Sequence, residues 1–517
     1  IAIVIIYRLW FHPLAQYPGP ALGKITNLYS AYYAWTGDLH IDMWRCHEKY
    51  GNYVRYAPNR LLINTSTGLK VIYGFSKNLQ KSASYNVMVH RAPSTLTMTC
   101  KKKHALHRRI VSQGFANTAL RQHEHTIMTH IKKLAAQLAP CQSSGSSEWS
   151  AQQNMSSWSN RLSFDIISDV VFGAKYDMIG SPDNRYILEC IDGANVRTSV
   201  LFQAAELTAG RLDRRLFSKS IEARNIFIPF IKSLVKRRLQ KAAAKANDVF
   251  SLLVDVKDPE TGEGLDMNSI GGESTTLLMA GSDTTSTAIA ATFFYLSCYP
   301  QVYARVKSEI RRSFPSADEI SLGPTLNACV YLRACIDESL RMSPPVGGAP
   351  WREVLSGGIV IDGRAIPAGC EVGTSVYALH HNPVYFPDPF VYQPERWLSN
   401  TKTEGGISHA RLAQSAFAAF STGPRSCVGK GLATAELMLT LATLLHKYDM
   451  RLAQGSSTWG IGGGKLGAML GRHRVNEFQL FDHITSANDG PYMEFRGYSP
   501  SHLATLGEAQ FYHIPQG

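Results

Sequence analysis

A chain of 517 residues with 44% hydrophobic and only 18% charged side chains can bury a large core, which excludes a disordered protein. Its 53 Lys and Arg against 40 Asp and Glu leave a formal charge of +13, which suits an acidic partner, an anionic membrane or nucleic acid without choosing among them. Nine cysteines, an odd number with no CxxC pair and no zinc spacing, argue against a disulfide framework and for a reducing compartment.

The chain opens on Ile1-Ala-Ile-Val-Ile-Ile-Tyr7, an apolar run shorter than the roughly 20 residues of a spanning helix. Stiff, turn-rich Phe11-His-Pro13 and Tyr17-Pro-Gly-Pro20 follow. Residues 1–16 read as the end of a truncated membrane anchor with its linker, and 17–517 as the globular body. Val54-Arg-Tyr56 and Leu61-Leu-Ile63 predict a hairpin, as does Ile359 to Ile366 around Asp362-Gly363. Helical spacing predicts helices from His104 to Gly114, Leu120 to Leu138, Ser159 to Phe172 and Ile221 to Lys245. It predicts four more, from Ser269 to Cys298, Gln301 to Phe314, Ala328 to Met342 and Gly431 to Tyr448. The fold class expected is mainly α with minor β, one helix-rich body with small sheets. Pro140 to Ser150 and Gly455 to Gly471 read as loops.

Gly462-Gly-Gly464-Lys-Leu-Gly467 satisfies GxGxxG, with Asp482 about twenty residues on. No strand enters it and too little chain follows for further βαβ units, so it reads as a flexible loop. The informative glycines are in Phe420-Ser-Thr-Gly423-Pro-Arg425-Ser-Cys427-Val-Gly429, which leads into a helix. A soft thiolate there suits haem iron, and its electron push favours O–O cleavage. Gly423 and Gly429 would let backbone approach a flat macrocycle and the sulfur, and Arg425 would pair with a haem carboxylate. Upstream, Gly281 in Ala280-Gly-Ser-Asp283-Thr284-Thr285 would permit close approach inside a helix. Glu338-Ser-Leu-Arg341 is by itself an ordinary helical charge pair.

With these motifs together the chain resembles the cytochrome P450 family, whose signature FxxGxRxCxG is matched at all five positions, with similarity from roughly Tyr17 to Arg496. The resemblance implies a cytochrome P450 catalytic domain over 17–517, with haem b (iron protoporphyrin IX) ligated by Cys427 and Phe420 packed near the sulfur. Ala280 and Gly281 would lie against the haem, with Asp283 and Thr284 holding water and relaying protons toward dioxygen. Glu338, Arg341 and Arg396 of Pro394-Glu-Arg396-Trp would form a buried charge network. His104, Arg108 and Arg352 would join Arg425 at the haem carboxylates, although His104 departs from the commoner Trp.

No flavin or nicotinamide motif survives scrutiny, so electrons from NADPH would arrive through a separate NADPH–cytochrome P450 reductase, with cytochrome b5 as a helper. Lys101 to Lys103, which cluster with Arg108 and Arg109, would belong to the docking face; Lys236-Arg-Arg238 is a second basic cluster. No aromatic platform accompanies the charge, so nucleic acid is not expected. The apolar start resembles the microsomal arrangement, anchored in the endoplasmic reticulum membrane with the body facing the cytosol. Substrate would meet Ser84 to Thr99 (with Asn86 and His90 as polar contacts), Val196 to Leu212, Ala280-Gly281, Val346 to Ala349 and Ser486 to Gly490. Their mixed, largely apolar character suits a medium-sized lipophilic molecule. Both chain ends look like fungal members acting on secondary metabolites, which include terpenoids, polyketides and alkaloids. The expected reaction is hydroxylation or epoxidation. Oxidative coupling, desaturation or ring formation on the same fold stays open, as does a noncatalytic haem-binding or membrane scaffold.

Overall fold

The computed structural model describes residues 1–89, 92–139, 148–240, 248–398, 408–454 and 460–498. Four expectations fall partly outside them: His90, most of the loop after residue 139, residues 241–245 of one helix, and the start of the loop at 455.

Helices carry the body, as the periodicity requires. The longest, Met267–Cys298, starts where Asp266 accepts hydrogen bonds from the Asn268 and Ser269 N–H groups and stops before Pro300. From Ser282 to Leu296 it is buried at nearly every position, as expected of a helix surrounded by others. It packs along Met155–Phe172, which is capped by Asn154 and closed by Gly173 at φ +59°. Asn117–Leu138 and Lys430–Lys447 complete this layer. Their buried faces form the largest core cluster.

The other side is built on a five-stranded sheet in the order Tyr53–Ala57, Arg60–Ile63, Glu371–Gly373, Arg352–Val354, Leu79–Lys81. Both predicted hairpins form. Tyr53 pairs with Ile63, and Ile359–Ile361 pairs with Arg364–Ile366 across Asp362 and Gly363, both at positive φ. A three-stranded sheet and the hairpin Phe481–His483/Thr485–Ala487 lie near the C-terminal end.

Several bounds move for local reasons. Ala328 and Cys329 precede rather than begin Val330–Met342, because Pro324 starts its own short turn. Tyr448 opens a strand instead of closing the Lys430–Lys447 helix. The helices Leu28–Thr36, Leu39–Tyr50 and Tyr186–Gln203 were not anticipated. Each carries polar residues on buried positions, such as His40, Asp42, Asn195 and Ser199, which blur the apolar stripe. The Gly462–Gly464 segment is packed, not a free loop. A side chain at Gly462 would meet Phe478 and Phe294, and one at Gly463 or Gly464 would run into backbone.

The chain opens with the helix Ala2–Ile6 continued by Tyr7–Phe11 and leaves Ile1, Ile3, Trp10 and Phe11 exposed. No helix among the described residues is long and apolar enough to cross a membrane.

Candidate active site

A cavity of about 350 Å³ with a mostly apolar wall opens where the helical layer meets the sheet layer. Cys427, Phe420, Gly429, Ala280, Gly281, Thr284, Arg352 and Arg425 all line it. Cys427 lies between a short turn, Gly423–Arg425, and the start of Lys430–Lys447. Its N–H donates to the Phe420 carbonyl at 2.9 Å, folding the signature back on itself. The residue counts as exposed, and it is the cavity that its thiol meets. Burial raises the thiol pKa, while the Gly429 N–H, Arg108 and Lys430 pull it down. A Cβ on Gly429 would sit 4.0 Å from the sulfur, so this glycine lies directly beside it.

Gly423 serves a different purpose from the one expected, and Gly281, which lines the cavity, has a packing role as well. Gly423 does not line the cavity: at φ +69°, a Cβ there would strike the Tyr73 carbonyl, so it lets the loop press on the end of Ser66–Tyr73. Gly423→Ala is accordingly expected to lower the urea midpoint and haem retention together, by a loss of about 1–3 kcal/mol read from denaturation curves. At Gly281 a side chain would meet Ile167 at 2.8 Å; its smallness brings Met267–Cys298 close to Met155–Phe172 beside the cavity.

The cationic residues divide. Arg352 and Arg425 reach the cavity wall together with Lys81, which sequence reasoning missed because a lone Lys at a strand end carries no motif. Burial first, then Arg352, pushes Arg425 down to about 10. Lys81 lies far below its ordinary value from burial and from Arg352 and Arg425. These side chains donate to uncharged oxygens: Arg425 to the carbonyls of Met98 and Thr99, Lys81 to that of Leu96, and Arg352 to those of Pro350 and Trp351 and to the Tyr85 hydroxyl at 3.4 Å. None has a carboxylate in salt-bridge range among the described residues. Such a donor set fits the two carboxylates of a haem.

His104 and Arg108 do not line the cavity. His104 is buried and driven down to about 3 by burial, Arg425 and Lys81. Arg108 donates to the Ser426 carbonyl at 2.6 Å, beside Cys427. Arg109 is taken out of the basic face by a bidentate pair with Asp258 at 2.6 and 2.7 Å, and Arg238 by burial against Asp248 at 2.6 Å. Lys101, Lys102 and Lys103 remain exposed.

Thr284 lines the cavity and donates to the Ala280 carbonyl at 2.6 Å. Asp283 does not line it. Its Oδ2 accepts from Thr485 Oγ1 at 2.9 Å and Asn195 Nδ2 at 3.3 Å, and Thr485 reaches the cavity wall. Burial, then the nearby Asp192, pushes the Asp283 carboxyl up to about 7.

Glu338, Arg341 and Arg396 meet as expected. Arg341 donates twice to Glu338 at 2.9 Å and Arg396 once at 2.9 Å, with Trp397 and the Gln393 N–H supplying two more donors at 3.0 Å. Burial raises the Glu338 carboxyl, but the two guanidiniums outweigh it and the net shift is downward. The network extends to a residue with no sequence signal, His380, whose Nε2 accepts from the Ala418 N–H at 2.9 Å. Its Nδ1 therefore carries the proton and donates to the Arg341 carbonyl at 3.0 Å. Burial and Arg341 drive it down to about 3, so it is a neutral strut between the charge network and the segment before Cys427.

Of the expected substrate stretches, Tyr85, Met88, Leu96, Phe202, Val346 and Ala349 reach the cavity. Ser486 to Gly490 do not. The wall is reached one to four residues earlier, by Asp482, Ile484 and Thr485, because the hairpin turns at Ile484.

The cytochrome P450 family model matches residues 13–475. Cytochrome P450 monooxygenase AKT7 of Alternaria alternata is 66% identical over 96% of this chain and 95% of its own length. Cytochrome P450 monooxygenases poxM of Penicillium oxalicum and atnE of Emericella nidulans are 47% and 43% identical, over 95% and 96% of this chain and 92% and 94% of theirs.

Proposed function

That the chain belongs to the cytochrome P450 family, as a haem-dependent monooxygenase, is the premise from which we propose that it inserts one oxygen atom of O₂ into a C–H or C=C bond of a lipophilic secondary metabolite. Electrons come from NADPH through a separate reductase. The observation that carries this reading is the placement of the Cys427 thiol, Thr284 and three cationic side chains with no carboxylate partner among the described residues around one largely apolar cavity.

Bound haem would supply the activation of O₂. Cys427 would ligate its iron, and Arg352, Arg425 and Lys81 would hold its carboxylates. Phe420 and Gly429 close the space beside the sulfur. Thr284 donates its hydroxyl hydrogen bond to the Ala280 carbonyl, so its Oγ1 offers lone pairs to a donor in the cavity. Burial pushes the Asp283 carboxyl up to about 7, so it can take up a proton near neutral pH; Thr485, which donates to it and reaches the cavity wall, would have to turn its hydroxyl to accept that proton and pass it inward. The apolar wall desolvates the substrate and keeps bulk water out.

Lys102 and Lys103 are exposed on the helix whose Arg108 touches the cysteine loop, which supports docking of an acidic reductase domain there, with cytochrome b5 as a second donor. Exposed Ile1, Ile3, Trp10 and Phe11 support attachment to the endoplasmic reticulum membrane, with the body on the cytosolic side.

The test is turnover with reductase, NADPH and heavy-isotope dioxygen in a metabolite extract. A product carrying the label is expected; a product that has lost hydrogen and gained no label would replace oxygenation by coupling or desaturation. In the same assay Thr284→Ala should keep the ferrous carbon monoxide spectrum yet lower product formation by about a hundredfold, with peroxide accounting for the NADPH consumed. Unchanged product per NADPH would remove Thr284 from proton delivery.

A further inference from the structure

Besides Asp283, the helix Met267–Cys298 carries a second buried carboxylate, Glu273, which is 0% exposed and does not line the cavity. Its helical stripe does. Leu277, Ala280, Gly281 and Thr284 follow Glu273 on one face of the helix, and all four reach the cavity wall. Between Glu273 and Thr284 the helix rises about 16 Å, so Glu273 marks the far end of that stripe.

What closes the stripe there is the segment 92–99, and Glu273 holds it. Its Oε1 accepts from the Thr95 N–H at 2.7 Å and its Oε2 from Thr95 Oγ1 at 2.9 Å. His107 Nδ1, on the helix Lys101–Gln113 that follows the segment, donates to Oε1 at 3.0 Å. The neighbouring positions of the long helix are shaped for the same segment. At Gly272 a Cβ would come 3.0 Å from the Ala92 carbonyl, so backbone lies against backbone there. Thr276, one turn on, donates to Ser94 Oγ at 2.9 Å. Ser94 and Thr95 are buried by these contacts, and Leu96, the next residue, enters the cavity wall. The carbonyls of Leu96, Met98 and Thr99 are held in turn by Lys81 and Arg425, so the segment is fixed on both sides of its cavity-facing residue. Two hydrogen bonds from one residue to a buried carboxylate fix position along the helix as well as distance, which an apolar contact would leave free to slide.

We propose that Glu273 is a positioning residue that sets the length of the substrate chamber: by clamping Thr95 it fixes how far Leu96 stands from Thr284, and so the longest molecule the chamber takes. This rests on reading the cavity as the substrate chamber. Without the carboxylate, the Thr95 N–H and hydroxyl lose their buried acceptor, and they recover hydrogen bonds only by leaving the helix for water. Leu96 moves with them and the chamber lengthens.

The test is equilibrium binding of 1-alkylimidazoles, from butyl to dodecyl, to the haem-loaded full chain, followed by the haem absorption shift. The imidazole fixes one end of the probe at the iron, and the alkyl chain measures the room beyond it. In the native enzyme each added methylene that finds apolar wall should tighten binding by up to about fourfold, until the chain meets Leu96 and the gain stops. Glu273→Leu should move that stop to a chain longer by about two methylenes or more and leave the butyl probe within about twofold of native. Glu273→Gln, which keeps an acceptor for the Thr95 N–H, should leave the stop at its native length. Thr95→Val, which removes the hydroxyl alone, should move the stop in the same direction as Glu273→Leu, and it carries the test if Glu273→Leu does not fold. A stop that stays in place, one that moves as far in Glu273→Gln as in Glu273→Leu, or an equal loss of affinity at every chain length would overturn the clamp. Failure of the underlying chamber reading has its own signature, because affinity in the native enzyme would then not grow with chain length at all.

Discussion

Cys427→Ala is expected to abolish the thiolate band of the ferrous carbon monoxide complex and to cut turnover by more than about a hundredfold. Residues one step removed from a metal ligand already cost that much, and here the one thiol among the described residues of the cavity wall would be lost. The backbone should tolerate the change. Cys427 is held through its N–H to Phe420, and its side chain faces the cavity rather than the core. Far-ultraviolet circular dichroism should therefore stay native while the band disappears. A variant that keeps the thiolate band would transfer the ligand role to another residue.

The second large effect is expected at Glu338. Glu338→Ala leaves the Arg341 guanidinium, whose side chain is wholly buried, and that of Arg396 facing one another without a counter-charge. Removing one partner from such a network costs about 3–5 kcal/mol, much of it the desolvation of the charges left behind. The loss should appear as a lower urea midpoint together with poor haem retention. Product choice in whatever enzyme survives should be unaltered, because no member of the network lines the cavity. A near-native midpoint for Glu338→Ala would mean that the surrounding carbonyls suffice, those of His380, Pro389 and Val391 for Arg341 and those of Pro387 and Val391 for Arg396.

The residues that sequence reasoning located best are those whose chemistry forces a fixed spacing. Cys427 must sit just before a helix, Thr284 must lie mid-helix, and Glu338 and Arg341 must share a helical face. Positions that act through space were out of reach. Lys81, Glu273 and His380 come from separate strands and helices, and nothing in their neighbours along the chain announces what they will meet. Gly423 was legible as a glycine that must be a glycine, but the partner that makes it so, the Tyr73 carbonyl, lies 350 residues earlier. The basic clusters misled for the opposite reason: Arg109 and Arg238 look free in sequence and are neutralised by Asp258 and Asp248. The missed helix Tyr186–Gln203 belongs to the same class, since polar side chains such as Asn195 and Ser199 face inward there to meet other polar groups or the cavity.

The segment bearing Cys427 is tied down at three points that involve no prosthetic group. Ala418 is bonded to His380, Gly423 is pressed on Tyr73, and Ser426 receives Arg108. Fixing a residue's backbone costs about 1–2 kcal/mol of conformational entropy, and for these residues that cost is met when the polypeptide folds. Ligand capture then becomes the docking of a rigid disc into a shaped slot, with no loop left to order afterwards. The binding free energy can go almost entirely into affinity, and the spread of thiolate positions that would otherwise blur the donor's strength is narrowed before the iron arrives.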